Sequence, residues 1–155
     1  MKTPVYNDLY TPEGESATGS EWNVYPRPQL VRDSFFSLNG AWDFSADEGK
    51  WETITVPFPP ESLLSGIHRH MGKRPRLTYK KTFTLPEGFV RDRVILHLGA
   101  VDQIATGTLN GVLLGEHHGG YAPFSFDITD CLQGTNTLVV AVADHLADKI
   151  LPYGK

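Results

Sequence analysis

The chain has 155 residues, 40% of them hydrophobic and 21% charged, with a formal net charge of −4. That composition suits one domain with a core of its own. Scattered basic residues on an acidic chain argue against a nucleic-acid partner, and the longest apolar run, residues 138–143, is far too short to span a membrane.

In chain order, residues 1–28 are polar, rich in Pro, Gly, Ser and Thr, and without a period. They are expected to form an extended N-terminal arm, with residues 29–155 forming the domain proper. The opening residues MKTPVYNDLYTPEGES hold no apolar signal-peptide core, and the single cysteine, Cys131, has no partner for an internal disulfide. Both point to a reducing, cytoplasmic setting.

Beyond residue 35 the chain reads as short strands punctuated by turn residues. Leu38-Asn39-Gly40 turns into a strand over 41–44, with Trp42 and Phe44 on one face. Residues 51–56 alternate and are stopped by Pro57, Pro59 and Pro60. Residues 78–85 place Tyr79, Lys81 and Phe83 together, and residues 93–98 send Val94, Leu96 and Leu98 inward. A strand over 102–109 meets Asn110-Gly111, whose preference for positive φ predicts a type I′ hairpin returning through 112–115. Phe124, Phe126 and Ile128 alternate again. Residues 130–134 suit one short turn, and residues 138–143, apolar on both faces, predict a central strand covered on both sides. The expected fold is all-β, two antiparallel sheets packed as a jelly-roll sandwich.

The stretches LNGAWDF (38–44), VPFPPESLLSGI (56–67), YKKTFTLP (79–86), RVILHLGAVDQIATGTLNGVLLGEHHGGYAPFSFDITDCL (93–132) and NTLVVAVAD (136–144) occur in that order. Together they resemble the amino-terminal, galactose-binding-like "sugar-binding" jelly-roll domain of glycoside hydrolase family 2, the family of β-galactosidases, β-glucuronidases and β-mannosidases. The resemblance implies that an immunoglobulin-like domain and a (β/α)8 barrel follow, the barrel carrying the two catalytic glutamates. Where this chain has Thr78-Tyr79, many relatives carry Trp-Tyr. Residues 152–155, PYGK, look like the start of the family's Pro-x-Gly-Lys-Gln loop, so the sandwich is expected to stop before its last strand and to leave an unpaired sheet edge.

Several polar residues invite functional readings. His117-His118-Gly119-Gly120-Tyr121 could suggest a metal or sugar site. Adjacent side chains on an extended chain point opposite ways, however, so the two imidazoles are unsuited to one ion. The stretch reads better as a seam, the glycines turning the chain between sheets and residues 121–126 packing the core. His68 and His70 offer two nitrogens, too few for a zinc site without a third ligand, and RHMGKRPR (69–76) reads as a solvated basic loop. Asn110 is assigned to turn chemistry and Asp102 to satisfying backbone donors. Trp42 and Trp51 are assigned to the core rather than to sugar stacking.

No catalytic residue, metal ligand or cofactor is expected in this chain. A retaining glycosidase needs two carboxyls about 5–5.5 Å apart across a sugar cleft, whereas the acidic residues here, such as Glu48, Glu87, Asp92, Asp102 and Asp130, fall mainly at turns and strand ends. The resemblance offers one candidate contact. In the family an acidic residue in the loop after the last of these strands reaches the barrel's active site and helps hold the terminal sugar. Asp144 matches it, with Asp148 as the alternative; the competing assignment is a solvated strand end.

The expectation is therefore a non-catalytic domain of a β-galactosidase-like family 2 enzyme that supports the barrel and shapes its substrate cleft. Its partners would be the immunoglobulin-like and barrel domains of the same glycosidase, carbohydrate through the full enzyme, and a second copy in a homo-oligomer. The alternative is a free-standing carbohydrate-binding module using Trp22, Tyr25 or Tyr153.

Overall fold

The computed structural model describes residues 10–17, 29, 32–47, 49–72 and 75–144. Within the predicted arm, Thr11 caps a single helical turn, Pro12–Glu15, its hydroxyl oxygen accepting from the Gly14 N–H at 3.1 Å. Thr-Pro-Glu is a helix-start signal, a polar cap followed by a proline whose missing N–H costs nothing at the first helical position.

Eight strands follow: β1 (Gly40–Ala46), β2 (Glu52–Val56), β3 (Arg76–Phe83), β4 (Ile95–Leu98), β5 (Ile104–Leu109), β6 (Val112–His118), β7 (Phe124–Asp127) and β8 (Asn136–Ala143). They form a six-stranded sheet in the order β2-β1-β3-β8-β5-β6 and a two-stranded sheet, β4-β7. Every pairing is antiparallel. This is the expected sandwich, and its core takes one face of each strand. Trp42 and Phe44 from β1, Ile54 from β2, Leu77 and Phe83 from β3, and Leu138, Val140 and Val142 from β8 meet Val94, Leu96 and Ile128 from the opposite layer. Fully burying a side chain the size of Phe44 contributes about 1.5–3 kcal/mol.

β8 is central, between β3 and β5, but only half of its apolar surface is buried. Leu138, Val140 and Val142 face the core, while Ala141 is exposed and Val139 and Ala143 are half-buried. The expected cover on both sides therefore gives way to a strand covered on one. Trp51 departs in the same way. It is 53% exposed, with the Lys80 ammonium 4.4 Å from its ring centroid and Lys80 paired to Asp43 at 3.1 Å. Trp42 is the core tryptophan, its indole N–H donating to the Leu38 carbonyl at 2.7 Å.

The segment after β2 packs through one hydroxyl. Ser62 caps the 3-10 turn Leu63–Ser65, and the fully buried Ser65 donates to the Ser62 carbonyl at 2.7 Å. Its oxygen in turn accepts from the Ile67 N–H at 3.0 Å. Tyr79, stacked edge-on against Phe44 at 5.1 Å, is held well above the usual phenol range by burial, with the nearby Glu61 charge adding to it.

Between the sheets, Phe126 of β7 lies against two glycines. A Cβ on Gly115 would stand 2.9 Å from the ring, and one on Gly107 3.2 Å. Gly107 and Gly115 are register partners beside a bulge that leaves Leu114 without an opposite residue. Gly115 also has φ +150. Gly115→Ala is expected to lower stability by about 1–3 kcal/mol through overpacking. Urea unfolding checks this, and combining the substitution with Phe126→Leu should return part of the loss.

At the end of β7, the Asp127 carboxylate accepts from the Thr129 hydroxyl at 2.6 Å and the Thr129 N–H at 3.1 Å, and Arg93 reaches it at 2.6 Å. Those bonds, Thr129's first, pull Asp127 down from 3.8 to about 2. A depressed carboxyl stabilises the fold fully above its unfolded value. The contribution is lost as pH falls through the folded one, here between 3.8 and about 2. Carboxyl-carbon NMR titration should find Asp127 at that low midpoint. Thr129→Val should raise the midpoint more than Arg93→Ala does; the reverse order would contradict this assignment of causes.

Candidate functional site

The register brings one set of strand ends together. At the end of β8, Ala143 stands opposite Arg76 of β3 and Ile104 of β5, and Ile104 stands opposite His118 of β6. Asp47 closes the corner next to β3: its N–H donates to the Arg76 carbonyl at 2.7 Å, and its carboxylate accepts from the Arg76 N–H at 2.9 Å. The main chain of Asp144 leaves β8 here, donating from its N–H to the Pro75 carbonyl at 3.3 Å, and the residue is half-buried. Asp144 thus sits at the rim of the sandwich, on a backbone fixed from the β3 side. Asp148 lies outside the described residues, as do Glu48, Trp22, Tyr25, Tyr153 and residues 152–155.

On the other side of Asp144, the Gln103 N–H donates to the Ala143 carbonyl at 3.4 Å, and the Gln103 carbonyl accepts from the Gly119 N–H at 2.8 Å. The Asp102 carboxylate lies against the Cα of Gly120, in space that any Cβ at position 120 would need. Among the described contacts, then, Asp102 meets a glycine rather than capping a backbone donor. Residues 102–103, 119–120 and 143–144 form one connected rim, which the sequence alone does not join.

The two adjacent histidines belong to β6 and part as expected. His118 points outward, 2.6 Å from Glu116. His117 turns inward and stacks on Phe124 with centroids 4.1 Å apart and planes 12° from parallel. Past β6 the chain crosses to the second sheet through Gly119, at φ +111. The stretch is a seam between sheets, although Tyr121 is exposed at 60% rather than packed in the core.

The His117 Nε2 is buried and has no hydrogen-bond partner among the described residues. A buried polar atom left unsatisfied costs about 1–3 kcal/mol. His117→Phe keeps the ring stack and removes that atom, so it is expected to raise stability by about 1 kcal/mol, read as an upward shift of the urea midpoint without change of slope.

In the basic segment, the described residues Arg69, His70 and Met71 make local contacts. Arg69 forms a two-point pair with Glu52, at 2.7 and 3.2 Å, which lowers the Glu52 carboxyl and raises the guanidinium. The His70 Nδ1 accepts from the Gly72 N–H at 2.8 Å, and the Met71 N–H donates to Glu61 at 3.3 Å. Among the described residues no three His, Cys, Asp or Glu side chains gather as a metal site would require, and no helix is long and apolar enough to cross a membrane.

The geometry thus defines an antiparallel β-sandwich with an acidic residue, Asp144, at one rim. Residues 60–150 match the family described as "Glycosyl hydrolase 2 galactose-binding domain-like", and the chain belongs to it. The chain is 31% identical over 117 residues to a β-galactosidase of Thermoanaerobacter pseudethanolicus, covering 74% of this chain and 16% of that protein. It is 29% identical over 147 residues to a β-glucuronidase of Paenibacillus borealis, covering 85% of this chain and 24% of that one. A Bifidobacterium dentium β-glucuronidase solved with coumarin-3-O-glucuronide superimposes with a TM-score of 0.55 at 31% identity, over 68% of this chain and 19% of that structure. The chain corresponds to the amino-terminal, galactose-binding-like domain of family 2 glycosidases, and it spans less than a quarter of these relatives.

Proposed function

We propose that the chain serves as the non-catalytic domain of a longer retaining β-glycosidase, buttressing the catalytic barrel and shaping the edge of its sugar cleft. The observation that carries this reading is the rim at the end of β8, where Asp144 leaves the sheet on a main chain fixed to Pro75. A carboxylate at a domain edge can accept hydrogen bonds from the hydroxyls of a sugar seated in a neighbouring barrel. Asp148, on the same connection, is the second candidate. Residues 1–28 act as an arm along neighbouring surfaces, and residues 29–155 as the sandwich.

Four of the described carboxylates are engaged by basic side chains. Asp43 pairs with Lys80, Glu52 with Arg69, Asp127 with Arg93 and Glu116 with His118. These pairs are solvent-exposed and add little to stability, but each engages its carboxylate with a basic side chain rather than with a second carboxylate. The lone cysteine favours a reducing, cytoplasmic setting. Contact with a second copy of the glycosidase is a further role open to such a domain.

The 155-residue chain is expected to hydrolyse neither aryl β-galactosides nor aryl β-glucuronides. It should also show no saturable NMR shifts with galactose, glucuronic acid or mannose. Saturable shifts at the amides of Asp144 or residues 117–121 would replace this reading with a free-standing carbohydrate-binding module. In the longer polypeptide, Asp144→Ala should lower kcat/KM by about ten- to a hundredfold, the worth of one hydrogen bond to a charged group. An unchanged kcat/KM would remove Asp144 from the cleft.

A further inference from the structure

The tripeptide Leu-Asn-Gly occurs twice, at Leu38-Asn39-Gly40 and Leu109-Asn110-Gly111. Asparagine before glycine is the sequence most open to spontaneous loss of the side-chain amide, because a glycine N–H has no neighbouring Cβ to hinder its approach. The fold treats the second copy in a particular way. Asn110 sits at φ +52 and Gly111 at φ +82, the turn of the β5–β6 hairpin. The Asn110 side-chain amide donates to the Cys131 carbonyl at 2.8 Å and to the Asn136 Oδ1 at 3.0 Å, and its oxygen accepts from the Thr137 N–H at 2.8 Å. Asn136, fully buried, extends the clasp: its oxygen also accepts from the Gln133 N–H at 2.8 Å, and its amide donates to the Gln133 carbonyl at 2.9 Å. The clasp ties the hairpin to the turn Thr129–Cys131 and to the start of β8.

We propose that Asn110 is a deamidation site gated by the fold: inert while the hairpin is clasped to β8, reactive when it detaches, and unable to regain the clasp once converted. In the reaction the Gly111 backbone nitrogen, having lost its proton to solvent base, attacks the Asn110 Cγ. The new C–N bond closes a five-membered imide, and the side-chain nitrogen leaves as ammonia. Water then opens the ring at either carbonyl, leaving aspartate or isoaspartate at position 110. Overall, one water enters and one ammonia departs, with no oxidant or reductant. In the clasped state the Cγ cannot turn toward the Gly111 nitrogen without breaking all three bonds of the carboxamide. After conversion to aspartate, a carboxylate oxygen replaces the donor and faces two acceptors, the Cys131 carbonyl and the Asn136 Oδ1. That arrangement supplies repulsion in place of two hydrogen bonds.

The duplicated tripeptide provides an internal reference. The full chain would be incubated at mildly alkaline pH, in buffer and in concentrated guanidinium, and each site followed by peptide mass spectrometry and isoaspartate labelling. In guanidinium the Asn39 and Asn110 sites should react at similar rates. In buffer, Asn110 should convert at least about tenfold more slowly than it does in guanidinium, the factor set by an opening free energy of about 1.4 kcal/mol. Equal Asn110 rates in the two solvents would overturn the gate. The second half of the proposal rests on Asn110→Asp, which keeps a residue tolerant of this turn and exchanges the donor amide for a carboxylate oxygen. Its urea midpoint should fall well below that of the parent chain, and an unchanged midpoint would overturn the lock.

Discussion

The sandwich depends on β8. Its main chain is paired on both sides, to β3 along its whole length from Arg76↔Ala143 to Phe83↔Asn136 and to β5 from Ile104↔Ala143 to Leu109↔Leu138. Removing it would separate β2-β1-β3 from β5-β6 and take Leu138, Val140 and Val142 out of the core. Because β8 follows every other strand in the chain, the pairings that unite the sheet are all made to residues far earlier in sequence. Such a topology incurs its loop-closure entropy before the contacts return it, which places the domain among slowly and cooperatively folding β-proteins. The asparagine clasp at one end of β8 and the rim at the other have the same origin. Each lies where this strand meets segments distant in sequence.

What the sequence made legible was local. Alternation grouped Trp42 with Phe44 on β1 and Tyr79 with Phe83 on β3, and sent Leu96 and Leu98 of β4 inward, because one covered sheet face imposes a period of two. Asn110-Gly111 fixed the hairpin because few residues accept two successive positive φ values. The ordered stretches pointed to the family before any geometry was known, and residues 60–150 match it. The divergence of His117 and His118 also followed from strand geometry alone, even though both lie within β6 rather than in a loop.

What was not legible depended on neighbours remote in sequence. Trp51 and the outer residues of β8 are apolar, and apolarity alone does not say whether anything lies on top of them. Asp102 looked like a backbone cap, yet its side chain takes the space that a Cβ at Gly120 would need, seen only once β5 and the crossing after β6 are side by side. The buried His117 nitrogen and the double role of Asn110, at once turn residue and donor to Cys131 and Asn136, required the third dimension. The helical turn Pro12–Glu15 was missed for a different reason. Its cap and proline are written locally in Thr11-Pro12, but a four-residue helix is too short to show a period.

The contact between Phe126 and the facing glycines also bears on how this sequence can drift. At Gly107 and Gly115 an aromatic ring fills the space a side chain would take, and at Gly115 the positive φ adds to the constraint. Neither accepts a methyl group without displacing the ring, Gly115 the less so, and a smaller residue at 126 would leave a void over both. The three positions therefore behave as one heritable character. A lineage passing from this packing to another must cross a less stable intermediate, or change two positions together.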